Sequence, residues 1–101
     1  MKQIKIALLI DPKDNVAIAL QEFDVGDIVE VKGTKTSYSM EIKTNIPKGH
    51  KASLSDFNQG DPIVKYGVVI GKAVKHINKG ELVHIHNLQS VRWSRGVSNE
   101  E

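Results

Sequence analysis

The stretch "FDVGDIV" (residues 23–29) decides how this chain is read. An apolar residue is followed by two mostly polar positions, a glycine, an acid, and a return to apolar character. "FNQGDPI" (57–63) and "INKGELV" (77–83) repeat the pattern, and "IPKGHKA" (46–52) is a looser fourth copy. Each glycine can take a positive φ at no steric cost, so each can end a turn and launch a strand. The copies start 23, 11 and 20 residues apart, which excludes a solenoid of one fixed period. One turn device is reused in a small sheet protein. Gly-acid turns are common in β proteins, so shared geometry without shared function is the expectation.

The segments between the turns read as strands. Ile4, Ile6, Leu8 and Ile10 alternate with Gln3, Lys5, Ala7 and Leu9 at the two-residue period, which places the isoleucines on one face. "DPKDN" is a turn. "VAIAL" (16–20) follows with Val16, Ile18 and Leu20 on one face, although its alanines also suit a short helix. "DIVEV" (27–31) is a short strand, and Tyr38, Met40 and Ile42 alternate with Ser37, Ser39 and Glu41. In "VKYGVVIGKAV" (64–74), Gly67 and Gly71 interrupt an apolar strand pattern, which marks a bulge, a bend or a close backbone approach. No helix follows them, so a dinucleotide fingerprint is rejected. No segment sustains a helical period, and the fold class is all-β.

The chain has 101 residues, the size of one domain, with residues 1–90 as that domain and 91–101 as a polar tail. The absence of cysteine rules out disulfides, thiolate metal sites and a thiol nucleophile. The apolar run from Ile6 to Ile10 is too short for a signal peptide or a membrane span, so a cytoplasmic protein with no membrane association is expected. The net charge is +2, with 14 basic residues interspersed among 12 acidic ones. With few aromatics and no basic run, the composition argues against nucleic acid. A small anionic substrate needs only a few lysines. In the tail, Trp93 stands between Arg92 and Arg95, a combination that suits a partner surface as well as it suits packing back on the sheet.

Candidate chemistry gathers on histidines. In "KGELVHIHN" (79–87), a strand would project His84 and His86 from one face, close enough to share a metal ion. The alternative is a solvated strand face. His50, which follows a turn glycine, is the best third ligand, and His76 reads as an ordinary surface residue. Lys51 beside His50, and Lys65 beside Tyr66, are candidates to clamp a carboxylate or move a proton. No Ser-His-Asp order and no phosphate loop occurs.

The pieces "PKGHK", "KYGVVIG", the Gly80-Glu81 turn and "VHIHN", with "DNVAIAL" at 14–20, resemble the SAF-type β-clip domain of the altronate and galactarate dehydratases across about residues 14–90. The ending "HNLQSVRW" is similar to the small subunit of sulfolactate sulfo-lyase, a two-subunit relative. The resemblance implies a β-clip fold and a part in β-elimination from a hydroxy acid, with water or sulfite leaving and a divalent metal, iron or manganese, in the assembled enzyme. It implies a large catalytic partner subunit, because the chain ends where the family's long catalytic region is expected to begin. His50, His84 and His86 would then face a shared site, with Lys51, Lys65, Tyr66 and Asn87 binding the hydroxy-acid substrate. A homo-oligomer of the isolated chain remains open. The competing reading is a non-catalytic carbohydrate-binding or protein-interaction module of the same fold.

Overall fold

A computed structural model describes residues 4–90. All four glycine turns form, with φ of 91°, 86°, 94° and 90° at Gly26, Gly49, Gly60 and Gly80. In each, the residue after the glycine donates its N–H to the carbonyl three residues back: Asp27 to Asp24, His50 to Pro47, Asp61 to Asn58 and Glu81 to Asn78, at 3.0–3.1 Å. In three copies the acid also closes the turn from the other side. Asp27 accepts the N–H of Asp24 and Asp61 that of Asn58, both at 2.8 Å, while Glu81 accepts that of Asn78 at 2.9 Å. This double closure satisfies the exposed backbone groups and explains why an acid follows the glycine.

The turns work in reciprocal pairs. Each glycine donates its N–H to a residue on another segment and the next residue's carbonyl accepts that residue's N–H. The first turn holds Ile42 in this way, the second Ala19, the third Ala73 and the fourth Ser53. Ile42 and Ala19 lie four residues before Ile46 and Phe23, the apolar residues that open turns two and one and that themselves form a bridge. Ala73 and Ser53 stand in the same relation to Ile77 and Phe57, which form the matching bridge. Turns one and two therefore clip each other shut, and so do turns three and four.

Among the described residues, nine strands run between the turns: β1 (Ile6–Leu8), β2 (Val16–Ala19), β3 (Ile28–Lys32), β4 (Ser37–Glu41), β5 (Lys51–Ser53), β6 (Pro62–Lys65), β7 (Val68–Ala73), β8 (Leu82–Val83) and β9 (Leu88–Ser90). They form a six-stranded sheet in the order β4-β3-β1-β2-β5-β8 and a three-stranded sheet in the order β6-β7-β9. The β1–β3 pair is parallel and the other pairs are antiparallel. "VAIAL" is a strand, which resolves its ambiguity. One core holds Ala7, Leu9, Ala17, Ala19, Phe23, Val29, Val31, Met40, Ile42 and Ile46; a second holds Val16, Phe57, Ile63, Ala73, Ile77, Val83 and Leu88.

The structure decides which face of each strand is buried, and it corrects one expectation. The buried face of β1 is the Ala7 and Leu9 side, while Ile4, Leu8 and Ile10 are 68%, 38% and 38% exposed. β2 buries Val16, Ala17 and Ala19, and Leu20 just beyond it is exposed. The register sets Ala7 against Ala19 beside Val31, so small side chains pack where the central strands meet the core. The corrected expectation concerns "VHIHN": β8 stops at Val83, and residues 84–87 form a turn. Gly71 is the expected close approach, since a Cβ there would overlap the Gln89 carbonyl. Gly67 is a hairpin turn residue, and the bulge lies between Ile63 and Val64.

The tail and its Trp93 lie outside the described residues. Among the described residues, no helix is long and apolar enough to cross a membrane.

Candidate functional site: a histidine pair and a lysine pair on an open face

The second turn is the exception to the acid rule, and proline is the reason. Pro47 has no N–H, so nothing at the turn's entry needs a carboxylate. Position 50 is thereby released from the duty that Asp27, Asp61 and Glu81 perform, and a histidine occupies it. β5 begins at the next residue.

Antiparallel pairing then chooses the partner of His50. β5 and β8 are registered Lys51 to Val83, so the residue before Lys51 lies opposite the residue after Val83. The His50 and His84 rings lie 4.8 Å apart between centroids, tilted by 56°. Both side chains are half-buried. The turn that fixes His84 is built by Asn87, which is buried at 3% exposure. Asn87 Oδ1 accepts the His84 N–H at 2.9 Å and its Nδ2 donates to the Leu82 carbonyl at 2.8 Å. The Asn87 and Leu88 N–H groups both return to the His84 carbonyl. The Asn87 amide is thus engaged within the turn that orients His84, not presented to solvent.

His86 goes elsewhere. Because residues 84–87 turn, the two histidines do not share a strand face as the spacing predicts. His86 is exposed and lines a cavity of about 380 Å3 with His76, Thr44, Asn45, Asn78 and Leu82. His76 Nε2 is 2.8 Å from Asn78 Oδ1.

The lysines complete the corner. One row of the six-stranded sheet runs Ser37–Lys32–Leu8–Ile18–Lys51–Val83 across all six strands. Lys51 is half-buried in this row, and burial, with the Lys65 charge as the second cause, holds its ammonium pKa below the usual lysine value. Lys65 ends β6, with its Nζ 4.7 Å from the centroid of the Tyr66 ring. Neither lysine makes an ion pair among the described residues. His84 is also held below the ordinary imidazole value, first by burial and then by the charges of His50, Lys51 and His86. A neutral imidazole beside Lys51, itself near Lys65, is equipped to accept a proton while the lysines hold an anion.

The same donors do not make a metal site. Among the described residues, no group of three or more His, Cys, Asp or Glu is placed to hold an ion. His50 and His84 offer two imidazoles, with an ammonium beside them and no third ligand, and the chemistry of a resident divalent metal asks for more. Sequence reasoning missed Asp14. It is buried at 8% exposure, and its Oδ1 accepts the N–H of Gly67 from 53 residues away, which fixes the β6–β7 hairpin tip near the corner. No local pattern carries such a contact.

Short strands clipped by glycine turns, with basic and histidine side chains on an open face, define a small β-clip domain. The chain belongs to the altronate/galactarate dehydratase SAF domain family, which it matches over residues 5–91. It is 37% identical over 87 residues to the altronate dehydratase of Bacillus subtilis, covering 86% of this chain but only 17% of that protein. It is 34% identical to the (2R)-sulfolactate sulfo-lyase subunit alpha of Chromohalobacter salexigens, covering 82% of this chain and 92% of that subunit. The corresponding subunit alpha of Paracoccus pantotrophus is 36% identical, with 62% and 94% covered. The chain therefore spans a small part of the dehydratase and nearly the whole of the alpha subunits.

Proposed function

We propose that this chain is the small, non-autonomous subunit of a lyase that catalyses β-elimination from a hydroxy acid, removing water from a sugar acid of the altronate or galactarate kind or sulfite from sulfolactate. The observation that carries the reading is the combination of near whole-length likeness to alpha subunits with a site that is open on one side. His50, His84, Lys51 and Lys65 converge, but nothing in the described chain encloses a substrate. A large partner chain supplies the remaining wall, and the iron or manganese of the assembled enzyme belongs to that chain, since the donors here fall short of a site.

The chemistry assigned to these residues follows from their charges. Elimination breaks the C–H bond next to the carboxylate, turns its electron pair into a C=C bond, and expels the group on the neighbouring carbon with its bonding pair. Lys51, supported by Lys65, binds the substrate carboxylate. A bound anion relieves the repulsion between the two ammonium groups and stabilises the negative charge that develops as the proton leaves. His84, kept neutral, accepts a proton, and His50 against it holds the ring in place and shares that proton load. Asn87 positions His84 through its backbone.

The test is co-expression with a large chain from the same host that matches the part of the altronate dehydratase absent here, followed by assay on altronate, galactarate and sulfolactate. Turnover on one of them is expected only with both chains. His50→Ala and His84→Ala should each lower kcat by about 10²-fold or more in the assembled complex. If both variants turn over at the wild-type rate, the site assignment is wrong. If the isolated chain binds sugars and no large chain restores turnover, the interaction-module reading replaces this one.

A further inference from the structure

The tip of the β6–β7 hairpin has a conformation that its sequence does not favour. The two-residue turn Tyr66-Gly67 joins the paired Lys65 and Val68, and both turn residues have positive φ, 56° at Tyr66 and 75° at Gly67. This is the mirror-image hairpin turn that Asn, Asp and Gly adopt readily and a bulky residue resists. Tyr66 has the only positive φ of any non-glycine among the described residues. Burial does not compensate it, because Tyr66 is 57% exposed, and Val68 and Val69 next to it are 51% and 44% exposed. The tip is nonetheless held firmly. Asp14 accepts the Gly67 N–H at 2.8 Å, the Asp11 carboxylate packs against Gly67, and Asn15 accepts the Val64 N–H at 2.8 Å while donating to the Pro62 carbonyl at 3.0 Å.

A rigid aromatic projected outward, with aliphatic neighbours and a cation at its base, has the form of an interface anchor whose ordering cost is met before contact. We propose that the Tyr66–Val69 tip seats this domain on its large catalytic chain, with Tyr66 entering an apolar socket. The occupant follows from where the tip lies: Lys65 Nζ sits over the Tyr66 ring and its charge reaches Lys51, so the tip borders the open corner that the large chain must wall in. Seating the tip there would close the partner over the Lys51–Lys65 corner. The inference rests on the small-subunit reading and adds the surface by which the two chains meet.

The experiment compares the wild-type chain with Tyr66→Asn and with Val68→Thr/Val69→Thr, using the large chain that restores turnover as the binding probe. Tyr66→Asn suits the turn and removes the anchor, so the Tm of the isolated chain should hold or rise while Kd weakens at least tenfold. The valine pair, which keeps β-branched shapes, should weaken Kd in the same direction. Unchanged Kd in both variants overturns the proposal. Unchanged Kd with lost turnover at saturating large chain also overturns it, placing Tyr66 at the chemistry and leaving the small-subunit reading intact. Self-association abolished by Tyr66→Asn with Kd for the large chain intact makes the tip a contact between copies and overturns it too. Failure of the wild-type chain to bind any large chain removes both readings together.

Discussion

His50 shows how a side chain becomes available for chemistry. At the equivalent turn position, Asp27, Asp61 and Glu81 accept a backbone N–H that Pro47 does not have. His50→Asp restores the residue type that three other turns accept, so the domain should fold with Tm within a few degrees of wild type while the assembled complex loses turnover. Lys51 carries the opposite signature. It is a half-buried cation facing another cation, so Lys51→Met should leave stability unchanged or raise it, measured by urea unfolding, while raising KM for the carboxylate substrate. His84 makes a pH prediction. Its folded pKa is below the ordinary 6.5, so the folded chain binds fewer protons than the unfolded one at mildly acidic pH. Stability that is fully present above the ordinary value is therefore lost as pH falls below it toward the lower folded value. The drop in Tm between neutral and mildly acidic pH should be smaller in His84→Gln. At this scale the sequence was partly legible. A histidine after a turn glycine marked His50, but the pairing of His84 with His86 assumed a strand that ends at Val83, where Asn87 draws the chain into a turn.

The elements were more legible than their orientation. The glycine turns and most strands follow from local pattern, because each turn satisfies its own backbone groups. Which face of β1 is buried does not, since Ile6, Leu8 and Ile10 outweigh Ala7 and Leu9 in any count of apolar bulk. The register that sets alanine against alanine is decided by strands far along the chain. The turn acids yield a direct comparison. Asp61→Ala leaves the Asn58 N–H without its carboxylate and should cost about 1 kcal/mol in urea unfolding, whereas His50→Ala removes no such bond. Gly80 is the least replaceable turn glycine: it combines φ of 90° with a Cβ position that would overlap the Glu41 carbonyl. Gly80→Ala should destabilise more than Gly26→Ala, where φ is 91° but no atom lies within 4 Å.

Across the whole molecule, two cores meet along the six-stranded sheet, with Val16 and Val83 turned toward the second while Ala17 and Ala52 serve the first. This arrangement covers only one end of the sheet's outer face and leaves the row through Leu8, Ile18 and Lys51 bordering the site. No sequence pattern could reveal that division, because it depends on where the three-stranded sheet lands. The reciprocal clips also carry a consequence for how readily this fold acquires new chemistry. A turn position becomes free to vary only where its entry residue lacks an N–H, so proline acts as a licence for innovation at its own turn. The licence should be portable: Glu81→His alone strands the Asn78 N–H and should lower Tm, and adding Asn78→Pro should recover much of that loss, opening a second programmable position on the same scaffold.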